Sequence, residues 1–268
     1  MTATRRIHAP DGLRSAGMGA QRFTGRDGIE LAYREVGSGR PLILLHGFMG
    51  TGTQMLEYGD TGSLAQQGHR LVLPDLRGHG DSAKPHDPEA YPPDVLADDG
   101  LALIEHLGFA DGEYDLGGYS LGARVVVRML ARGAKPGRAI AGGQGLAKVS
   151  GPQGGGANRQ LLTRLVEGQA FEADSPQARA AQWVEKSGAD PRALLYVLDS
   201  LVPTPEDALR EIAVPTLVLI GEQDERSDAD ELAGLLGDAQ FARVPGDHGT
   251  AFTAPEYTAA IRDFLAER

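Results

Sequence analysis

The stretch Gly118-Tyr119-Ser120-Leu121-Gly122 decides how this chain folds. An apolar run precedes it and a second, residues 123–130, follows it, which predicts a strand, a sharp turn and a helix in that order. A serine held in such a turn crowds the residues two positions away on either side, so both are expected to be glycine. The turn lifts the serine oxygen above the sheet edge and aims the free N–H groups of the helix N-terminus at the same spot. Ser120 is therefore predicted to be a nucleophile.

Two later strand-like runs end in the residue types that activate a serine. The run 215–220 leads to Asp224, and the run 241–244 leads to Asp247-His248. A serine hydroxyl is a poor nucleophile until an imidazole takes its proton, and the imidazole needs a carboxylate to fix its tautomer. The chain order Ser120, Asp224, His248 is the predicted catalytic triad.

Other acids were weighed for the same role. Asp228 lies four residues beyond Asp224 and is the alternative acid. The position after the sixth predicted strand offers only Gly142-Gly143-Gln144, which contains no carboxylate. Asp247 directly precedes the histidine and is expected to cap its own loop. The remaining histidines are interpreted as surface residues, except His46 and His79.

Two upstream motifs accompany the triad. Residues 42–45 form a buried-strand pattern that runs into His46-Gly47-Phe48-Met49-Gly50. Residues 70–72 lead into a turn-rich segment, 73–82, that contains Asp75, Arg77, His79 and Ser82. Both segments place polar residues directly after a predicted strand, where a parallel sheet gathers its functional groups.

With five motifs in this order, the sequence resembles the α/β-hydrolase family, especially its compact bacterial esterase, lactonase and perhydrolase-like members. The resemblance covers roughly residues 21–145 and 206–268. It implies an oxyanion hole formed by the backbone N–H groups of Phe48 and Leu121. It also implies that the Phe48 and Met49 side chains lie near the catalytic mouth and help to bind substrate. His46, His79, Asp75, Arg77 and Ser82 are expected to support the loops rather than take part in the chemistry.

Composition narrows the classes of function. The chain has 268 residues and a net charge of −11, and an acidic balance argues against nucleic acid and anionic membrane surfaces as partners. Cysteine is absent, which excludes disulfides, thiolate metal sites and a thiol nucleophile. No run of about 18 apolar residues occurs, so no membrane span is expected. These features predict a cytoplasmic protein without a metal or organic cofactor.

The alternation of strands and helices predicts an α/β fold: a mostly parallel, eight-stranded sheet with helices on both faces. Residues 1–20 are expected to form a mobile N-terminal arm, and residues 21–145 and 206–268 the core. The expected helices are 53–67, 92–107, 120–132, 227–236 and 255–267. The expected strands are 21–25, 30–36, 41–45, 70–74, 113–117, 138–142, 215–220 and 239–244.

The alternation stops between residues 146 and 205, which predicts a small helical cap inserted after the sixth strand. Its helices are expected at 158–169, 176–186 and 191–201. The glycine-rich segment 150–157 is interpreted as a mobile surface loop rather than a hinge. Trp183, the only tryptophan, is expected either to line the substrate pocket or to pack the cap onto the core.

These residues favour a serine hydrolase that cleaves a small carboxylic ester or lactone through an acyl-enzyme. Two alternatives use the same triad, a carbon–carbon bond hydrolase and a cofactor-free perhydrolase. A third comes from another class, because this fold also serves as a receptor for small molecules. The sequence determines neither the substrate nor the oligomeric state.

Overall fold

The computed structural model describes residues 19–57, 60–152 and 155–267. The expected N-terminal arm, residues 1–20, lies outside them except for its last two residues. Two residues of the expected glycine-rich loop, 153 and 154, also lie outside them.

An eight-stranded sheet forms the centre of the molecule, with the strand order β1-β2-β4-β3-β5-β6-β7-β8. The β1–β2 and β2–β4 pairs are antiparallel, and every other neighbouring pair is parallel. The eight strands all fall within two residues of their expected positions. Their bounds are β1 Gln21–Thr24, β2 Glu30–Gly37, β3 Arg40–Leu45, β4 His69–Pro74, β5 Asp115–Tyr119, β6 Ala139–Gly142, β7 Thr216–Gly221 and β8 Ala239–Val244.

The core helices are close to those expected, with one difference. The single helix expected over 53–67 is two short helices, because the turn-forming residues Asp60 and Thr61 interrupt it. Short 3-10 turns occur at Pro88–Ala90 and Ala251–Thr253. The helices are α1 Gly52–Glu57, α2 Gly62–Gln66, α3 Val95–Leu107, α4 Leu121–Ala131, α5 Leu146–Ser150, α6 Ala157–Val166, α7 Pro176–Ser187, α8 Pro191–Asp199, α9 Glu206–Arg210, α10 Ala229–Leu235 and α11 Pro255–Ala266.

Strand β3 shows how the sheet buries both faces. Successive side chains of a strand point to opposite faces, so Ile43 and Leu45 join the apolar cluster that includes α3 and α4. Leu42 and Leu44 join the cluster that includes α1, α2 and α11. The middle strands β5, β6 and β7 are buried along their whole length, as expected for parallel strands covered on both sides.

Helices α5 to α8 lie between β6 and β7, in the segment expected to form the cap. They enclose a third apolar cluster that contains Leu161, Leu162, Val184 and Leu194 together with Met49 from the loop after β3. The cap is therefore packed directly onto the loop that follows the nucleophile's neighbouring strand. None of the helices in the described part of the chain has the length and apolar character needed to cross a bilayer.

Candidate active site

Ser120 occupies the sharp turn between β5 and α4. Its φ of 54° and ψ of −113° lie in a region that residues other than glycine rarely adopt. A non-glycine residue held there stores backbone strain, which the surrounding structure must compensate. The strain is offset by the buried strand on one side and the apolar helix on the other, Tyr119 and Leu121 being buried.

The two glycines beside Ser120 are required by contact as well as by sequence. A Cβ atom on Gly118 would lie 2.4 Å from the backbone carbon of Gly122. A Cβ atom on Gly122 would lie 2.1 Å from the carbonyl oxygen of Leu45 on β3. Any side chain at either position would push the turn away from the sheet, so the expected steric role of both glycines agrees with the geometry.

The structure brings Ser120, His248 and Asp224 into one hydrogen-bonded chain. Ser120 Oγ lies 2.9 Å from His248 Nε2, and His248 Nδ1 lies 2.8 Å from Asp224 Oδ2. A carboxylate only accepts hydrogen bonds, so Nδ1 carries the proton and Nε2 is free to accept from the serine hydroxyl. The three residues come from the carboxyl ends of β5, β7 and β8, which meet at one edge of the parallel sheet.

The surroundings keep His248 neutral and Asp224 ionised. Burial lowers the pKa of His248, and the positive charge of Arg226 lowers it further, so that the opposing effect of Asp224 is outweighed. Burial alone would raise the pKa of Asp224, but hydrogen bonds from His248 and Arg226 reverse this and lower it. At neutral pH the imidazole can therefore take a proton from Ser120.

Arg226 holds Asp224 from the side opposite His248. Its backbone N–H and its Nη1 both donate to Asp224 Oδ1, at 3.1 and 3.0 Å. Asp224 Oδ2 thus remains available to the imidazole alone. This contact was not expected from the sequence, although the spacing of two residues between Asp224 and Arg226 was visible there.

Tyr119, which precedes the nucleophile, supports the histidine loop. Its hydroxyl donates to the backbone carbonyl of His248 at 2.7 Å. Its ring lies nearly parallel to the imidazole, with ring centres 5.4 Å apart and planes 23° apart. Phe252 and Tyr257 pack around the same ring. The role of Tyr119 was also missed at the sequence level, because only the return of the chain at residue 248 creates it.

The loop after β3 lies against the nucleophile, as expected for an oxyanion hole. A Cβ atom on Gly47 would come within 3.5 Å of Ser120 Cβ. In the described part of the chain, neither the Phe48 nor the Leu121 backbone N–H has a hydrogen-bond acceptor. Both are therefore free to donate to a ligand. Met49 has a φ of 61°, so this loop, like the Ser120 turn, holds a non-glycine residue in an unfavourable conformation.

His46 and His79 brace the two loops that flank this site. His46 Nε2 accepts from the Leu76 backbone N–H at 3.0 Å, and its Nδ1 lies 2.8 Å from the Gly47 carbonyl. His79 Nδ1 donates to the Arg77 carbonyl, at 3.0 Å, while its rings pack on His46 and Phe48. Burial lowers the pKa of His79 to about 3, so it stays neutral. These contacts agree with a supporting role.

The polar residues after β4 also tie loops together. Asp75 accepts from the backbone N–H groups of Gly52 and Asp81, at 2.7 and 2.9 Å. The Ser82 hydroxyl donates to the Asp75 carbonyl and accepts from the Ala32 backbone N–H. Arg77 is fully buried and pairs with Asp99 and Asp27. None of these side chains hydrogen-bonds to Ser120 or His248.

The expected substrate-binding side chains have different fates. Met49 is buried in the cap cluster, and Phe48 packs against both the cap cluster and the core cluster. Trp183 is 48% exposed on the outer face of α7, whereas the adjacent Val184 is buried. The expectation that Trp183 packs the cap onto the core is therefore wrong, because the helical period turns Val184 rather than Trp183 inward.

The rival acids serve local structure. Asp228 Oδ2 accepts from the Ala147 backbone N–H at 2.6 Å, so it fixes the start of α5. Asp247 Oδ1 accepts from Gly249 N–H and from the Thr250 hydroxyl within its own loop. Neither contacts the imidazole. Among the described residues no cluster of three or more histidine and acidic side chains is arranged to hold a metal ion.

Comparison with known proteins links this geometry to one family. The model of a family described as the alpha/beta hydrolase family matches residues 42–261. The AB hydrolase superfamily protein YisY of Bacillus subtilis is 30% identical over 257 residues, which cover 85% of this chain and 92% of that protein.

Two further similarities concern named activities. A non-heme haloperoxidase of Rhodococcus erythropolis is 28% identical over 263 residues, covering 84% of this chain and 92% of that protein. The crystal structure of the esterase RhEst1 from Rhodococcus sp. ECU1013 superposes with a TM-score of 0.72 at 23% identity. That superposition covers 93% of this chain and 99% of the esterase, and at this identity it shows the fold alone.

Proposed function

This chain belongs to the alpha/beta hydrolase family and is a hydrolase, and we propose that it cleaves small carboxylic esters or lactones through an acyl-enzyme on Ser120. The observation that carries the proposal is the pair of hydrogen bonds from Ser120 Oγ to His248 Nε2 and from His248 Nδ1 to Asp224 Oδ2, at 2.9 and 2.8 Å. Each has the length of a working hydrogen bond and joins a nucleophile, a base and an orienting acid.

In the first half of the proposed reaction, His248 Nε2 takes the proton of Ser120 as Oγ attacks the ester carbonyl carbon. The carbonyl oxygen becomes an oxyanion, which accepts hydrogen bonds from the free N–H groups of Phe48 and Leu121. The imidazolium then gives its proton to the departing alcohol oxygen, and the carbon–oxygen bond breaks. Asp224 remains ionised and stabilises the charged imidazole throughout.

In the second half, a water molecule attacks the acyl-enzyme while His248 accepts its proton. The same two N–H groups hold the second oxyanion. Ser120 leaves with the proton returned by the imidazolium, which releases the carboxylic acid and restores the free enzyme. No group outside the described residues is needed to balance these steps.

Covalent labelling tests the assignment of Ser120. An organophosphonate or sulfonyl fluoride should add once to the protein and map to the peptide that contains Ser120, because a serine paired with a base is far more nucleophilic than a surface serine. Ser120→Ala is the matched control and should remain unlabelled. No adduct, under conditions that label a known esterase, would contradict the proposal.

A second candidate, peroxide-dependent perhydrolysis on the same triad, is favoured by the similarity to the Rhodococcus erythropolis haloperoxidase. The two activities are distinguished by measuring ester hydrolysis and acetate-dependent bromination by hydrogen peroxide in parallel. Carbon–carbon bond cleavage would appear as hydrolysis of a diketone without ester turnover. A receptor would release only one equivalent of product from p-nitrophenyl butyrate and then stop.

A further inference from the structure

Two arginines lie beside the triad and belong to different segments of the chain. Arg124 is in the first turn of α4, and its backbone N–H donates to the Ser120 carbonyl at 3.2 Å. Side chains on a helix lean toward its N-terminus, so Arg124 extends back toward the turn that holds Ser120. Arg226 sits in the loop after β7 and contacts Asp224. The two guanidinium groups are close enough to repel one another.

Arg124 lacks the counter-charge that a buried guanidinium normally has. Its Nη2 is buried and has no hydrogen-bond partner. Burial and the charge of Arg226 lower the pKa of Arg124 to about 10, and no carboxylate lies near enough to oppose this. A water molecule can satisfy an N–H group, but it cannot neutralise the charge.

The other well-covered arginines of the described chain all have a carboxylate partner. The side chains in this group are at most 27% exposed, and the pairs are Arg34 with Asp75 and Asp81, Arg40 with Asp115, Arg77 with Asp27 and Asp99, and Arg128 with Asp94. Arg124 is the exception to a rule that the rest of this molecule follows.

Arg226 does not supply the missing negative charge and adds to the excess. Its only buried partner is Asp224, which is already shared with His248. Glu225 lies 3.8 Å from Arg226 but is 82% exposed, so water screens its charge. Arg226 Nε is itself buried without a hydrogen-bond partner. Gln144, in the loop after the intervening strand β6, adds a buried side-chain amide whose oxygen is unpartnered.

We propose that Arg124 and Arg226 form a carboxylate-binding subsite beside the triad, so that the preferred ester carries a free carboxylate. This rests on the proposed ester hydrolysis and names its substrate class: a monoester of a dicarboxylic acid, or an ester whose alcohol part is carboxylated. The planar guanidinium matches a carboxylate with two parallel hydrogen bonds. The ligand would supply both the missing charge and acceptors for the unpaired N–H groups. A neutral substrate would leave them unpaired, which is how a polar site gains selectivity.

The kinetic test compares substrates that differ only in charge. Monoethyl glutarate and its neutral ω-amide have nearly the same shape, and the ω-amide lacks the carboxylate. We expect kcat/KM for the acid to exceed that for the amide by at least about tenfold. Monoethyl succinate and monoethyl adipate then report which spacing fits. A ratio near one for every chain length would overturn the proposal.

Variants assign the preference to a particular charge. Arg124→Met removes the charge but keeps much of the volume, and it should reduce the acid-to-amide ratio by at least about tenfold. Arg124→Lys keeps the charge and should retain more of the ratio than Arg124→Met. Arg128→Met is the matched control, since Arg128 lies on the same helix but already pairs with Asp94. An equal loss in Arg128→Met and Arg124→Met would contradict a specific subsite. Circular dichroism verifies that each variant is folded.

A binding experiment separates failure of the subsite from failure of the proposed reaction. Glutarate should bind to the Ser120→Ala protein in a calorimeter and should bind much more weakly once Arg124→Met is added. Glutarate binding without any ester turnover would sustain the subsite and refute the reaction. Ester turnover without glutarate binding or an acid preference would do the reverse. Equal competition by acetate and glutarate would indicate a site for a free anion and would overturn the substrate class.

Discussion

The hydroxyl of Tyr119 donates to the backbone carbonyl of His248 at 2.7 Å and joins the residue before the nucleophile to the general base. The two residues are 129 positions apart in sequence. Their rings are also stacked, so the imidazole is held from one side by Tyr119 and through Nδ1 by Asp224. The distance between Ser120 and His248 therefore depends on a residue that touches neither the substrate nor the transferred proton.

Tyr119→Phe should reduce kcat about five- to tenfold and leave KM nearly unchanged. It removes one buried hydrogen bond, worth about 1 kcal/mol, and keeps the ring packed on the imidazole. Steady-state kinetics on p-nitrophenyl butyrate measure the effect. Tyr33→Phe, which removes a hydroxyl that contacts Gln21 far from the triad, is the control and should have wild-type kinetics. An equal rise in KM would show that Tyr119 shapes the pocket instead.

Ser120→Ala, His248→Ala and Asp224→Asn should each lower kcat by roughly 10³–10⁶, because the members of a triad act as a unit. The folded state should persist in all three, which circular dichroism can verify. Asp228→Asn is the matched control, since Asp228 bonds to the backbone of Ala147 rather than to the imidazole. Near wild-type kcat in Asp224→Asn would refute the assignment of the acid.

Arg226→Gln should move the acid limb of the kcat/KM profile to higher pH. The positive charge of Arg226 lowers the pKa of His248, so its removal raises that pKa, and the imidazole stays protonated up to a higher pH. The pH–rate profile of a neutral ester is the measurement, at low ionic strength where screening is weak. Arg262→Gln, at an exposed pair with Asp263, is the control. A shift to lower pH would contradict the electrostatic role.

Arg77→Met should destabilise the protein by about 3–5 kcal/mol, because it leaves Asp99 buried without its cation. Burial already raises the pKa of Asp99 to about 6 despite Arg77, which indicates how costly that carboxylate is to ionise. Urea denaturation monitored by circular dichroism gives the free energy of unfolding. Arg210→Met, at an exposed pair within α9, should change it by less than about 0.5 kcal/mol. Similar losses in both variants would refute the argument.

Activity should be highest for short acyl chains of about two to six carbons. The interior of the cap is filled by Met49, Leu161, Leu162, Val184, Leu194 and Leu198, which leaves little apolar space for a long chain. Each methylene that fits adds about 0.8 kcal/mol of binding, and each that does not fit clashes. Values of kcat/KM for p-nitrophenyl acetate, butyrate, octanoate and palmitate test this. A maximum at palmitate would contradict it.

Most of the sheet was predictable, because each strand is a local apolar pattern bounded by turn residues. The helix expected at 53–67 was not, since its pattern continues across Asp60 and Thr61 while the backbone turns there. Trp183 was also misjudged. Its face of α7 is decided by which residues of the neighbouring helices meet Val184, and no local pattern reports that.

The sequence by itself determined the fold and the order Ser120, Asp224, His248. Those features follow from hydrophobic periodicity, chain order and the steric need for Gly118 and Gly122, all of which are local. Only the tertiary structure decided the charge balance around Arg124. Whether a guanidinium is paired depends on which carboxylates reach it from distant segments, and for Arg124 none does. Electrostatic pairing is a property of positions in space, so no sequence pattern around residue 124 reveals it.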